Sequence, residues 1–297
     1  ALIGLRFLQA LGASVGMVIA RAVIADLFEG QEAARMFSLV TLVFGLAPIL
    51  APLIGGWMLL VMDWRAIFWV LALFGGAVLT AALMRLEESR SKETEGRARE
   101  ESPLRAYLAV MRQKRLIGFG LAGSFGGSCM LTYIAASPSL LIETYGIAPE
   151  NYGYIFGLNA IGFVAAAQVN RHFLIRHSIE RLLMLGLTGA LVASLIMLIA
   201  AITYTSGSLA ILVPLFVVIT SLGFILPNGV AGAMAVDRQR SGTTGALVGC
   251  LQFIVGSIGA VCVGIFYDGS ALPMAATIAG ALALAIILLK SLVKEPD

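Results

Sequence analysis

Apolar residues recur along this chain in long runs, and short clusters of charged and polar residues separate them. A helix needs about 20 mostly apolar residues to cross the hydrocarbon core of a bilayer. By that measure the pattern predicts nine spanning helices, at 2–25, 36–62, 66–84, 116–142, 152–169, 182–204, 209–230, 243–266 and 273–289. The alternating segments typical of membrane β-barrels are absent from the sequence. We therefore predict an all-α polytopic membrane protein.

Composition supports the same class. Hydrophobic residues make up 59% of the chain and charged residues 12%, whereas soluble domains carry about 25% charged residues. The expected surroundings are a lipid bilayer, with no nucleic-acid partner. Cys129, Cys250 and Cys262 lie in apolar runs without disulfide or zinc spacing, so we predict three buried thiols and no metal or cofactor.

The basic residues orient the predicted helices. All of the 20 Lys and Arg residues except Arg6 and Arg65 fall on, or at the edges of, alternate loops or on the tail. Cytoplasmic loops collect Lys and Arg. We therefore predict that the first helix enters from the outer side and that the C-terminus is cytoplasmic.

A charged segment, 87–115, divides the chain into 1–86 with three predicted spans and 116–297 with six. Many carriers consist of two six-helix halves. The division predicts a cytoplasmic linker between the second part of an N-terminal half and a complete C-terminal half, with three further helices before residue 1. Within the linker, Pro103 favours the start of a short helix at the membrane surface; a solvated linker is the alternative.

Arg6 lies inside an apolar span, fifteen residues from Arg21, which is about 22 Å along a helix. A charge at that depth is costly and usually faces a cavity or a partner, although an arginine can also snorkel to the headgroups. Gln9 follows one turn later on the same face. No Asp or Glu lies well inside a span, so either proton coupling is absent or its carboxylate lies in the helices expected before residue 1.

Uncharged polar residues interrupt the later spans, and each can line a cavity or bond between helices. Asn159 and Gln252 lie well within apolar spans, and we select them with Tyr133 and Gln9 as candidates for a substrate cavity. The motifs of zinc proteases, serine hydrolases and P-loop enzymes are absent from the sequence. We predict that the protein is not an enzyme.

The stretch "GLAPILAPLIGG" at 45–56 places two prolines and three glycines inside one apolar run. On a helical wheel Gly45, Pro52 and Gly56 share one face, with Pro48 close by. Neighbouring helices can compensate a proline inside a membrane helix. We predict a kinked, smooth stripe that packs on another helix and seals the outer side of the molecule; simple close packing is the alternative.

Two stretches near the start of the chain match the motifs of a known family. "RFLQALGA" contains that family's arginine, glutamine and glycine at Arg6, Gln9 and Gly12, while Ala10 replaces a common glycine. "ARAVIADLFEGQEAARMFSL" is similar to the loop that follows in the family.

The third motif is "GLAPILAPLIGG", in which Pro52, Gly55 and Gly56 match an antiporter pattern and Ala51 stands where glycine is usual. With these motifs the whole chain resembles major facilitator superfamily drug:proton antiporters of the bicyclomycin-resistance (Bcr/CflA) type. It would align with the fourth to twelfth of their twelve helices.

The resemblance implies a monomeric carrier of the bacterial inner membrane. It would export small, largely hydrophobic drugs in exchange for protons by alternating access, with Arg6 involved in proton coupling. Gly45, Pro48, Pro52, Gly55 and Gly56 would form the gating or packing stripe. A carrier of the same fold for an amino acid or sugar derivative, and a non-transporting membrane protein, remain alternatives.

Overall fold

The computed structural model describes residues 2–85, 102–203 and 207–293. Within these ranges every regular element is helical. The helices are α1 Leu2–Leu27, α2 Gly30–Val61, α3 Arg65–Arg85, α4 Pro103–Met111, α5 Lys114–Pro138, α6 Pro149–Phe173, α7 Ile179–Ile202, α8 Leu209–Val236, α9 Ser241–Ile265 and α10 Leu272–Leu292. Each predicted span lies on, or largely on, one of the nine long helices of this described part. The span at 116–142 continues from α5 into a π-helical turn at Ser139–Thr144. By length and composition, eight helical stretches there can cross a membrane; α2 is the longest helix, at 32 residues.

Short polar and glycine-containing segments set the helix ends. Ser102 accepts a hydrogen bond from the backbone N–H of Arg105 at the start of α4, where Pro103 occupies the first turn. Ser178 caps α7 in the same way through Arg181. Between α1 and α2 the chain turns at Gly30 with φ of 50°, a conformation that favours glycine.

Helices α5–α10 form one bundle, which we call the C-terminal bundle. α5 lies at its centre and packs against α8, α9 and α10. At the crossing of α5 and α8 a side chain at Gly123 would lie 3.1 Å from the Cα of Gly229. Where α8 crosses α6, a side chain at Gly223 would lie 2.5 Å from the backbone nitrogen of Ala167. Small residues therefore bring these helix backbones close together, as is common in membranes.

Helices α1–α3, which we call the N-terminal helices, are unequally covered. The first turns of α2 are buried against α6 and α8, with Ala34 and Ser38 fully enclosed. α3 has no buried residue among those described, and apolar side chains such as Leu73 are exposed. Exposed apolar faces of this kind are stable in contact with lipid, since lipid chains are as apolar as the side chains.

The linker prediction falls partly on residues 86–101, which lie outside the described residues. Beyond them a short helix forms at α4. It buries Ala106 and Val110, contacts α5 and α9, and leaves Leu104 and Leu108 exposed. Its position at a membrane surface stays a prediction.

The stretch 45–56 lies within α2, whose backbone is helical from Gly30 to Val61. Apart from Ile54, the side chains of this stretch lie outside the described residues. The predicted roles in packing and gating therefore stay predictions. They concern Gly45, Pro48, Pro52, Gly55 and Gly56.

Two minor predictions were wrong. Cys129 is buried, but Cys250 is exposed and Cys262 is partly exposed, because an apolar run in a membrane protein includes an outward face. His172 lies beyond the predicted span 152–169 and was therefore expected in a loop, but it lies in the last turn of α6, because this helix continues past its apolar run to Phe173.

Candidate functional site

A cavity of about 290 Å³ lies between the N-terminal helices and the C-terminal bundle. Residues of α1 and α2 line one side, and residues of α5, α6, α8 and α9 line the other. Most of the wall is apolar. Its aromatic and methionine side chains include Met17, Phe37, Met130, Phe156, Phe163 and Phe253. Such a wall can accommodate apolar molecules of different shapes, because Met adapts its conformation and aromatic rings stack.

Two of the predicted cavity residues form a hydrogen-bonded pair in this wall. Asn159 donates from Nδ2 to the hydroxyl of Tyr133, at 3.1 Å. The Tyr133 ring stacks on Phe156, with centroids 5.6 Å apart and planes inclined by 18°. Tyr133 is buried apart from its contact with the cavity, so its position is fixed by α5 and α6 together.

A second polar pair crosses the cavity between the two helix groups. Arg21 of α1 donates from Nη2 to the side-chain oxygen of Gln252 in α9, at 2.8 Å. Both residues line the cavity. Gln252 was a predicted cavity residue, whereas Arg21 was assigned to a cytoplasmic edge. α1 continues to Leu27, so Arg21 lies well inside the helix and its side chain faces the bundle.

Two further predicted residues, Arg6 and Gln9, belong to the first turns of α1, far along the helix from Arg21. Gln9 is exposed and is not among the residues that line the cavity. The side chain of Arg6 lies outside the described residues. Their proposed roles stay predictions.

Contacts between the two helix groups also occur where α1 and α2 are connected, which we call the α1–α2 end. Ser241, the first residue of α9, donates from its hydroxyl to the carboxylate of Asp26, at 2.8 Å. Arg238 donates to the carbonyl oxygen of Ala25, at 3.1 Å, and forms an ion pair with Glu29. A cation at the last carbonyls of α1 and an anion at the first turn of α9 both interact favourably with the helix dipoles.

A buried polar triad joins the same two groups deeper in the molecule. Asn170 of α6 donates from Nδ2 to the hydroxyl of Ser38 in α2, at 3.0 Å. Asn228 of α8 donates to the side-chain oxygen of Asn170, at 2.7 Å. All three residues have no exposed surface. Sequence reasoning missed both Ser38 and Asn170. Ser38 is unremarkable in an apolar run, and Asn170 lies beside residues typical of a loop edge.

Among the described residues, the hydrogen bonds that join the two groups involve residues 21–38 of the N-terminal helices. They close the molecule at the α1–α2 end, which the charge pattern predicts to be cytoplasmic. The cavity begins beside these contacts, because Arg21 and Gln252 line it.

Long apolar helices in two groups, with a cavity between them, are the architecture of many membrane transporters. A family model described as Major Facilitator Superfamily matches residues 1–261. The chain belongs to this family, and the expected fold is confirmed.

Curated relatives agree with the branch that the motifs indicated. The chain is 30% identical over 281 residues to an uncharacterized MFS-type transporter, YdgK, of Bacillus subtilis (strain 168), covering 93% of this chain and 68% of that protein. It is 28% identical to a bicyclomycin resistance protein homolog of Haemophilus influenzae, covering 95% and 71%. It is 30% identical to the multidrug resistance protein MdtL of Escherichia coli O157:H7, covering 83% and 61%.

Solved structures share the fold at lower identity. The human organic anion transporter MFSD10 superposes with a TM-score of 0.69 at 16% identity, over 92% of this chain and 67% of that one. The transporter FucP in its outward conformation gives 0.64 at 15% identity, over 94% and 73%. The chain is thus a multi-pass membrane protein with the architecture of a major facilitator transporter.

Proposed function

We propose that this chain belongs to an exporter of small, largely hydrophobic drugs, which it exchanges for protons in a bacterial inner membrane. The observation that carries the proposal is the aromatic and methionine-rich cavity between the two helix groups. The names of the bicyclomycin and multidrug resistance relatives support drugs as the cargo. The protein would act as a monomer and would not be an enzyme.

The mechanism we propose is alternating access. In this conformation the closure at the α1–α2 end would lie between the cavity and the predicted cytoplasmic side. Separation of α1 and α2 from α6, α8 and α9 would break the contacts of Arg21, Ser38 and Arg238 and open the cavity there. Residues 1–86 and 116–297 would then move as parts of two halves joined by the linker 87–115, with the C-terminus cytoplasmic.

In this proposal Arg6 couples export to protons. The support is its position inside an apolar helix and its match to the antiporter motif. Gln9, Tyr133, Asn159 and Gln252 would contact the cargo, and the stripe at 45–56 would seal the outer side when the cavity faces the cytoplasm.

Inside-out membrane vesicles test both parts of the proposal. The lumen of the vesicles is first acidified. The intact transporter should then release protons from the lumen when a fluorescent hydrophobic drug is added, and the drug should accumulate in the vesicles. Arg6→Ala should abolish drug-driven proton release at unchanged protein level. Arg65→Ala is the matched control, because Arg65 is exposed and its contacts within the described part of the chain are with nearby Asp63 and Trp64.

Drug uptake without proton movement would contradict proton exchange, and proton release by Arg6→Ala would contradict the role of Arg6. Export of an amino acid or sugar derivative is the second candidate, favoured by the two polar pairs in the cavity wall. A deletion strain that loses metabolite export but keeps its drug susceptibility would select that candidate.

A further inference from the structure

The cavity described above carries one charged group. Among its described lining residues no carboxylate is present, and Arg21 is the charged side chain. A guanidinium has five N–H donors. The structure gives the Arg21 side chain one hydrogen bond within the described residues, to the neutral amide oxygen of Gln252, and Nη1 has no partner there.

Among the described residues, this arrangement pairs the positive charge in the apolar wall with no opposite charge. Met17 and Phe37 belong to the same cavity surface, and a charge in such surroundings is costly unless an opposite charge pairs with it. Gln252 orients the guanidinium without cancelling its charge. A ligand carboxylate can accept two parallel hydrogen bonds from a guanidinium, which is the geometry that Arg favours.

The rest of the cavity defines the body of the ligand. Phe156 and Phe163 offer ring surfaces, and Met130 offers an adaptable contact. A volume of about 290 Å³ is at the small end of the range for small-molecule sites. The matching ligand is a small aromatic or alicyclic molecule with one acidic group.

We propose that the cavity selects apolar organic acids in their anionic form, with Arg21 as the residue that binds the carboxylate. This inference rests on the proposed function and narrows its cargo. Gln252 acts as a positioning residue, which holds the guanidinium towards the cavity until the ligand arrives.

Three fluorescent probes with the same ring system test the proposal in the purified intact transporter. Dansylglycine carries a carboxylate, dansylglycinamide is its neutral counterpart, and dansylcadaverine carries a cationic amine. The wild type should bind dansylglycine about tenfold or more tightly than the amide, because a hydrogen-bonded charge pair is worth about that much. The cation should bind more weakly than the amide.

Arg21→Gln should remove this preference. Its affinity for dansylglycine should fall about tenfold or more, whereas binding of dansylglycinamide should stay within about threefold of the wild type. Arg21→Lys should restore part of the preference, because it keeps the charge but not the planar fork. Arg105→Gln is the matched control, since Arg105 is exposed on α4, and it should bind all three probes as the wild type does.

Equal loss of all three probes in Arg21→Gln would show a merely structural role and would overturn the inference. So would a wild type that binds the amide or the cation as tightly as the acid, or binds none of the probes. Transport in vesicles separates this result from the proposed function. Export of the amide and the cation without preference for the acid would support the proposed export function and refute the inference. Selective binding of the acid without transport would support the inference and contradict the export function.

Discussion

The buried triad of Ser38, Asn170 and Asn228 predicts how firmly the molecule is closed. Asn170→Leu removes both hydrogen bonds of the triad at similar side-chain volume. Ser38 keeps its bond to the carbonyl oxygen of its own helix, at 3.0 Å, and Asn228 keeps a bond to Phe224, at 2.8 Å. Ser38 therefore keeps its donor paired, whereas Asn228 loses the partner of one of its two Nδ2 hydrogens. That unpaired N–H lies within the C-terminal bundle and adds to the loss of overall stability.

Hydrogen bonds between membrane helices are worth about 0.6 kcal/mol on average. Only the bond between Asn170 and Ser38 joins the two helix groups, since Asn170 and Asn228 both belong to the C-terminal bundle. Its loss weakens the closed state by about 0.6 kcal/mol, which is about a threefold change in the ratio of closed to open molecules. Ser38→Ala removes one bond between the groups and should change the ratio about threefold. Added to Asn170→Leu, it should have no further effect, since the shared bond is already lost.

Spin labels at positions 32 and 181 can measure this ratio, because Glu32 on α2 and Arg181 on α7 are both exposed near the α1–α2 end. The long-distance population should increase by the stated factor in a background without the native cysteines. Thr188→Val is the matched control: its hydroxyl bonds only to its own helix, through Met184 and Leu185. A distance distribution for Asn170→Leu that equals the control would refute the reasoning.

Three further substitutions test other contacts. Tyr133→Phe should weaken binding of cavity ligands by less than about tenfold, because it removes one hydrogen bond and keeps the ring stack; exposed Tyr154→Phe should have no effect in the same fluorescence titration. Gly123→Val should destabilise the protein by about 1–3 kcal/mol or more through overpacking against α8, seen as a lower Tm, while Gly157→Val, with open space around it, should cost less. Arg238→Gln should increase labelling of the α1–α2 end by impermeant thiol reagents only about two- to fivefold, since its ion pair is exposed; a fully open molecule would contradict this estimate.

Hydropathy was sufficient to predict the helices, because each span must place about 20 mostly apolar residues in lipid whatever its neighbours are. The cavity positions of Tyr133, Asn159 and Gln252 could be anticipated for a related reason: a polar side chain deep in an apolar helix needs a polar partner or a cavity. Their contact with a cargo stays a prediction.

Arg21 and Asn170 were beyond sequence reasoning for a different reason. The charge count assigned Arg21 to the end of a helix, and Asn170 stood beside Arg171 in an apparent loop. Both assignments state only how deep each residue lies in the membrane, and they do not state which residue it contacts. The contacts of a side chain depend on the rotation and packing of whole helices, such as α1 against α9. The residues next to it in the sequence do not specify that packing.

The turn between α1 and α2 has a consequence for how the closure breaks. Only Phe28 and Glu29 lie between the two helices, and the three peptide steps from Leu27 to Gly30 can span at most about 11 Å. The end of α1 therefore cannot move far without α2. A movement that takes Arg21 from Gln252 also draws Ser38 away from Asn170. We therefore expect the contacts of Arg21 and Ser38 to break together when the two helix groups separate.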